Sequence, residues 1–179
     1  AINALKALGI QIEVSDSAII ADGGVDKLKG ARLNLGNSGL SARFLAGICS
    51  LASGESIVDG DERLRQRPVE PLVLALKQLG VKVKRNSFPL TIEGRSLEGG
   101  VCLIDGSESS QFLSSLLLVS PLARKEVEIK ISGEIVSKPY VGMTLDCMKK
   151  FGVKVKENGN AYSIKANQSF KPRKLSIEG

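Results

Sequence analysis

The apolar positions of the chain repeat one pattern three times. Leu5 and Leu8, then Leu72, Leu76 and Leu79, then Leu145, Met148 and Phe151 recur at helical spacing, and each set is followed by a glycine. The three glycines, Gly9, Gly80 and Gly152, stand 71 and 72 residues apart. Each reads as the residue just past a helix C-terminus, where φ is positive. Beyond each glycine the pattern changes to alternation: Ile10-Gln11-Ile12, Val81-Lys82-Val83-Lys84 and Val153-Lys154-Val155-Lys156. Alternation is strand periodicity, and the lysines mark its solvated face. A second strand is expected at 18–21, 89–93 and 161–165, and a third at 31–35, 101–104 and 174–177.

Other segments match between copies. Ser41-Ala42-Arg43-Phe44-Leu45 and Ser109-Ser110-Gln111-Phe112-Leu113 each start an apolar helix. Each leads to a strand, at 56–59 and 127–131, and then to Arg67-Pro68 or Lys138-Pro139. Proline suits a first helical turn, where no intrahelical donor is lost. The repeated unit is therefore β-α-β-α-β-β. It is complete over about 37–105 and 106–179, and only its second half is found in 1–36. We expect a missing N-terminal segment to supply the remainder. A period near 70 exceeds that of common solenoids. The expected fold is α/β: one domain over 1–179, its units around a pseudo-threefold axis with helices inside and strands outside.

Composition narrows the function. Hydrophobic residues make up 42% of the chain, enough for a core. The longest apolar run, 112–119, is broken by Ser114 and Ser115 and is too short to span a bilayer. No charged-then-apolar signal opens the sequence, so a cytoplasmic location without a membrane partner is expected. Cys49, Cys102 and Cys147 are widely spaced in apolar runs and read as buried thiols in a reducing compartment. The chain has no histidine, which excludes histidine-dependent triads and argues against a zinc site. No cofactor is expected.

The net charge of +6 favours anionic partners. Four helix N-termini, near Ser38, Pro68, Ser109 and Pro139, should cluster if the repeats are equivalent. Each offers unpaired N–H groups and partial positive charge. Around them stand Asn37, Ser41, Arg43, Arg63, Arg65, Arg67, Ser107, Ser109, Ser110, Gln111, Ser137 and Lys138. Arginine grips phosphate with a planar fork, and serine adds short donors. This reads as a multi-anion site. A non-catalytic anion- or nucleic-acid-binding domain stays open as the alternative. Only 4% of residues are aromatic, and none interleaves with the strand lysines, so base-stacking platforms are missing and no nucleic-acid partner is expected.

Four motifs carry a resemblance. Leu35-Gly36-Asn37-Ser38-Gly39-Leu40-Ser41-Ala42-Arg43 is similar to L-G-N-[AS]-G-T-x-x-R of the EPSP synthases. Gly60-Asp61-Glu62-Arg63-Leu64-Arg65-Gln66-Arg67-Pro68 resembles their G-D-x-R-x-x-x-R-P. Gly106-Ser107-Glu108-Ser109-Ser110-Gln111-Phe112-Leu113 resembles G-S-x-S-S-Q-[FY]-L, and Ser137-Lys138-Pro139-Tyr140 with Met143-Thr144-Leu145 resembles S-x-P-Y-x-x-M-T-L.

The resemblance implies an enolpyruvyl transferase-like domain. It implies transfer of the enolpyruvyl group of phosphoenolpyruvate to shikimate 3-phosphate, in the shikimate pathway, with release of phosphate. Ser109, Ser110, Gln111, Ser137 and Tyr140 would hold shikimate 3-phosphate. Asn37, Ser38 and Gly39 would form the close-approach turn by phosphoenolpyruvate, and Arg43 would also bind substrate. Arg67 would clamp its charge, and Gln111 would touch both substrates. The family's early lysine–serine motif and the acid–base residues of its second domain have no counterpart here. The resemblance therefore implies that this chain binds substrate without turning it over. The second domain would be its partner, and the full-length protein a monomer. Leu40 stands where threonine is usual, and Phe44 where proline is common.

Overall fold

The computed structural model describes residues 1–176. In chain order the elements are α1 (Ile2–Ala7), β1 (Gln11–Val14), β2 (Ile19–Asp22), β3 (Arg32–Asn34), α2 (Gly39–Cys49), β4 (Glu55–Asp59), α3 (Glu62–Arg65), α4 (Glu70–Gln78), β5 (Leu90–Glu93), β6 (Gly100–Asp105), α5 (Ser110–Val119), β7 (Val127–Ser132), α6 (Lys138–Lys150), β8 (Lys156–Asn158) and β9 (Ala161–Ile164).

The three repeated glycines end three helices in the same way. Gly9, Gly80 and Gly152 have φ of 97°, 88° and 86°. Each donates its N–H to a carbonyl three residues back: Lys6, Lys77 and Lys149. The next residue, Ile10, Val81 or Val153, donates to Leu5, Leu76 or Met148 at 3.0–3.1 Å. This is the Schellman arrangement, which satisfies otherwise orphaned carbonyls. It also corrects the strand starts expected from alternation. The first residue past each glycine spends its N–H on the helix, so ladder pairing begins later. After Gly80 it shrinks to a bridge between Val83 and Ile92, and after Gly152 the strand starts at Lys156.

Sheet pairing redraws the unit boundaries. β3 runs parallel to β4, which pairs antiparallel with β5. β6 runs parallel to β7, which pairs antiparallel with β9, and β9 with β8. The strand placed at the end of each sequence unit thus belongs to the sheet of the helix that follows it. The order β-α-β-α-β-β is preserved, with β3 and β6 as first strands. The hairpin of β1 and β2 represents the first unit. The strand expected at 174–177 is absent over 174–176, and Ile177 lies outside the described residues.

Two further details differ. Pro68 precedes its helix by two residues, and Pro71 occupies the first turn instead. A short helix, α3, intervenes because Asp61 accepts from Leu64 N–H at 2.9 Å and caps it.

The core is built around α5. Phe112, Leu116 and Leu117 are fully buried, and Ser110, Leu113, Ser114, Ser115 and Val119 are buried with them. Helices α2 and α6 pack on either side of α5, and α4 also touches it. Gly47 lets α2 approach closely, since a Cβ there would come within 2.7 Å of Ser115 Oγ. Ser115 Oγ donates across the gap to the Arg43 carbonyl at 2.8 Å. Lys82, Lys84, Lys154 and Lys156 face outward as expected, and Lys82 pairs with Glu93 at 3.0 Å.

Candidate functional site

The helix starts gather at one end of the domain. Ser109 caps α5, its Oγ accepting from Gln111 N–H at 3.3 Å. The turn before it is held by Asp105, whose Oδ1 accepts from Ser107 N–H at 2.8 Å and Ser107 Oγ–H at 2.7 Å. Those bonds keep the Asp105 carboxyl below its ordinary pKa. Ser137 precedes α6 in the left-handed region, φ 56° and ψ 45°, and its side chain makes no capping bond. A non-glycine residue held there is strained, a feature that concentrates at binding sites.

Between α2, α5 and α6 lies a groove of about 730 Å³. Ser109, Ser110, Gln111 and Ser114 form its α5 wall, and Ser137, Tyr140, Met143 and Thr144 its α6 wall. Ser114 and Thr144 hydroxyls meet at 2.8 Å and tie the walls together. Thr144 Oγ1 also donates to the Tyr140 carbonyl at 3.1 Å. Leu40 and Phe44 close the α2 side, so the two departures from the motif face the groove.

A cationic cluster adjoins it. Arg67 Nη2 donates to Asn37 Oδ1 at 3.1 Å. Arg43 Nη1 donates to Gln111 Oε1 at 2.7 Å, and Nη2 to the Pro68 carbonyl at 2.8 Å. The Arg43 guanidinium lies 5.0 Å from the Phe112 ring centre. Burial and then repulsion by Arg67 lower the Arg43 pKa, and Glu108 opposes the shift. Gly39 fits between the arginines: a Cβ would stand 3.0 Å from Arg67 Nη1 and 3.5 Å from Arg43 Nη1. Two loops bring these groups together. Asp61 donates its N–H to the Gly36 carbonyl at 3.0 Å, and Gly60 leaves room for that contact.

Nine of the ten residues given a role by the resemblance fall into these two connected sets; the tenth, Ser38, caps α2, its Oγ accepting from Ser41 N–H at 3.4 Å. Ser109, Ser110, Ser137 and Tyr140 line the groove. Asn37, Gly39, Arg43 and Arg67 make the cluster, and Gln111 belongs to both. Arg65 is otherwise engaged, with Nε and Nη2 on the Asp59 carboxylate at 2.9 and 2.8 Å. That pairing holds the Asp59 carboxyl below its ordinary pKa. Glu108, Ser114 and Thr144 also line the groove but were not among the candidate site residues. The polar Ser114 inside an apolar helix was the available signal.

The cysteine reading needs correction. Cys49 and Cys102 are buried, but Cys147 is exposed on the groove wall, because α6 buries only Val141 and Met148. Burial pushes the Cys49 thiol up to about 11 and the Cys102 thiol up to about 12. The thiolate is the reactive form, so both are inert near pH 8. With an aromatic disulfide reagent at that pH, we expect rapid labelling of Cys147 alone, and of Cys49 and Cys102 only after unfolding. Rapid labelling of Cys49 or Cys102 in the folded chain would contradict the packing of α2 or β6.

Among the described residues no helix is long and apolar enough to cross a membrane. No group of three or more metal-ligating side chains is found among them.

Comparison with known proteins gives a consistent result. The family model described as EPSP synthase (3-phosphoshikimate 1-carboxyvinyltransferase) matches residues 1–179. The chain is 43% identical to a 3-phosphoshikimate 1-carboxyvinyltransferase of Shewanella amazonensis, over 99% of its own length and 44% of the relative's. It is 42% identical to the protein of that name in Actinobacillus pleuropneumoniae, with the same coverage. It superimposes on the EPSP synthase of Acinetobacter baumannii with a TM-score of 0.80 at 26% identity, covering 95% of this chain and 39% of that one. The chain thus spans less than half the length of these relatives.

Proposed function

Since the chain belongs to the EPSP synthase family, we propose that it forms the substrate-binding half of an enzyme joining phosphoenolpyruvate to shikimate 3-phosphate with release of phosphate. The observation that carries this reading is the position of Gln111. Its side chain lines the groove and also bonds Arg43 of the cationic cluster, so one residue adjoins both binding regions.

The chemistry asks for such a layout. Two polyanions must be held side by side, so positioning and charge stabilisation carry much of the work. Ser109, Ser110, Ser137 and Tyr140 offer hydroxyls for the sugar-like substrate and its phosphate. Arg67 and the start of α2 offer positive charge for phosphoenolpyruvate, and Gly39 keeps the approach open. Proton transfer is assigned to groups outside this chain, supplied by a second domain that closes over the groove. The chain alone should then bind without measurable turnover. The strand lysines give little support to a nucleic-acid reading, because Lys82 and Lys84 pair with Glu93 and Glu55.

Calorimetric titration tests the proposal. We expect saturable binding of shikimate 3-phosphate, and much weaker binding of unphosphorylated shikimate. Ser109→Ala and Tyr140→Phe should each weaken the phosphorylated ligand about threefold to tenfold, the worth of one hydrogen bond. Equal affinity for both ligands, or no effect of either substitution, would reject the site.

A further inference from the structure

We propose that Arg43 is a positioning residue: it fixes the Gln111 carboxamide with its oxygen turned inward and its NH₂ presented to the groove. The proposal rests on the binding reading above and gives Arg43 a different part from the motif-implied one, in which it meets the substrate.

Three observations lead there. First, Arg43 is only 7% exposed, although it lies beside an open groove. Second, its guanidinium is already committed. One nitrogen serves Gln111, another the Pro68 carbonyl, and the plane rests near Phe112. Nε is buried with no hydrogen-bond partner among the described residues. Third, a guanidinium has donors and no acceptor. The Gln111 atom facing it must therefore be oxygen, which settles the amide orientation and leaves Nε2 as the donor for a ligand. The same bonds join three separate segments: α2, the Arg67–Pro68 turn and the start of α5. Arg43 thereby sets the distance between the cation at Arg67 and the donor at Gln111. Lysine cannot replace it, because a single ammonium lacks the planar fork.

A double-mutant cycle separates positioning from direct contact. Shikimate 3-phosphate would be titrated into the wild-type chain, Arg43→Lys, Gln111→Met and the double variant. We expect each single change to weaken binding about tenfold, and the double variant to be no weaker than either. Multiplied losses, about a hundredfold, would show that Arg43 meets the ligand itself and would overturn the proposal. Gln111→Glu guards against misfolding. It keeps an acceptor for Arg43 but cannot donate, so Tm should hold while affinity falls; retained affinity would also overturn it. The ligand-free protein gives an independent reading. The Gln111 side-chain NH₂ resonances should stand apart from those of free glutamine amides and move towards them in Arg43→Lys. Unchanged resonances would defeat the positioning role. Failure of the wild-type chain to bind, with that shift intact, would defeat only the binding reading.

Discussion

Phe112→Ala should lower stability by about 3–5 kcal/mol, the range for removing a large buried aromatic side chain. Phe112 is fully buried near the start of α5, the helix against which α2 and α6 pack. Its neighbours Leu113, Leu116 and Leu117 are buried with it, so truncation would leave a cavity. Domains of this size have about 5–15 kcal/mol of stability, so the variant would stand near the unfolding threshold. Urea unfolding followed by circular dichroism would measure the loss. A change below about 1 kcal/mol would mean that α5 is not the centre of the core. The substitution should also disturb binding in the fraction that stays folded, because the ring lies under the Arg43 guanidinium.

Gly60→Ala should act through the backbone. An added Cβ would lie 2.1 Å from the Gly36 carbonyl oxygen and 2.4 Å from Leu64 Cδ2. A carbonyl fixed in a turn cannot yield as a side chain can. The loops at 36 and 60 must therefore part, breaking the bond from Asp61 N–H to Gly36. The cost should be about 3 kcal/mol, the upper part of the overpacking range. Arg67 would move away from Asn37, so under the proposed function phosphoenolpyruvate binding should fall together with stability. Gly39→Ala supplies the contrast. Its nearest neighbours are Arg67 Nη1 at 3.0 Å and Cδ at 3.2 Å, both on a flexible side chain. The urea midpoint should barely change, while Arg67 is pushed aside and phosphoenolpyruvate affinity drops. Equal stability losses in the two variants would refute this division between a structural and a functional glycine.

The sequence carried much of this architecture. Gly9, Gly80 and Gly152 announced three helix ends, and each has the positive φ that the spacing required. The alternating valines and lysines showed which face is solvated. What alternation could not show was where pairing begins, because the N–H groups of Val81 and Val153 are claimed by the preceding helix. Pairing is a property of two segments, so one segment's pattern cannot fix it. The same limit explains the misplaced unit boundaries, since β3 and β6 are assigned by partners that come later in the chain. The candidate site was legible through its motifs and through the chemistry of helix starts. The inward turn of Arg43 was not. An arginine in a motif suggests a ligand, whereas its burial depends on Phe112 and Pro68, distant in sequence. Cys147 misled for the opposite reason: its apolar neighbours Leu145 and Met148 gave no sign that α6 turns position 147 outward.

The two long walls of the groove are unequally held. α5 is buried along nearly its whole length, whereas α6 buries only Val141 and Met148 and begins at the strained Ser137. Amide hydrogens of 112–117 should exchange with solvent only when the whole domain unfolds, and those near Tyr140 through small local openings. A ligand spanning the groove meets a fixed jaw and a compliant one. Its occupancy will register mainly as slowed exchange on the α6 side, so that helix reports binding while α5 keeps the geometry constant.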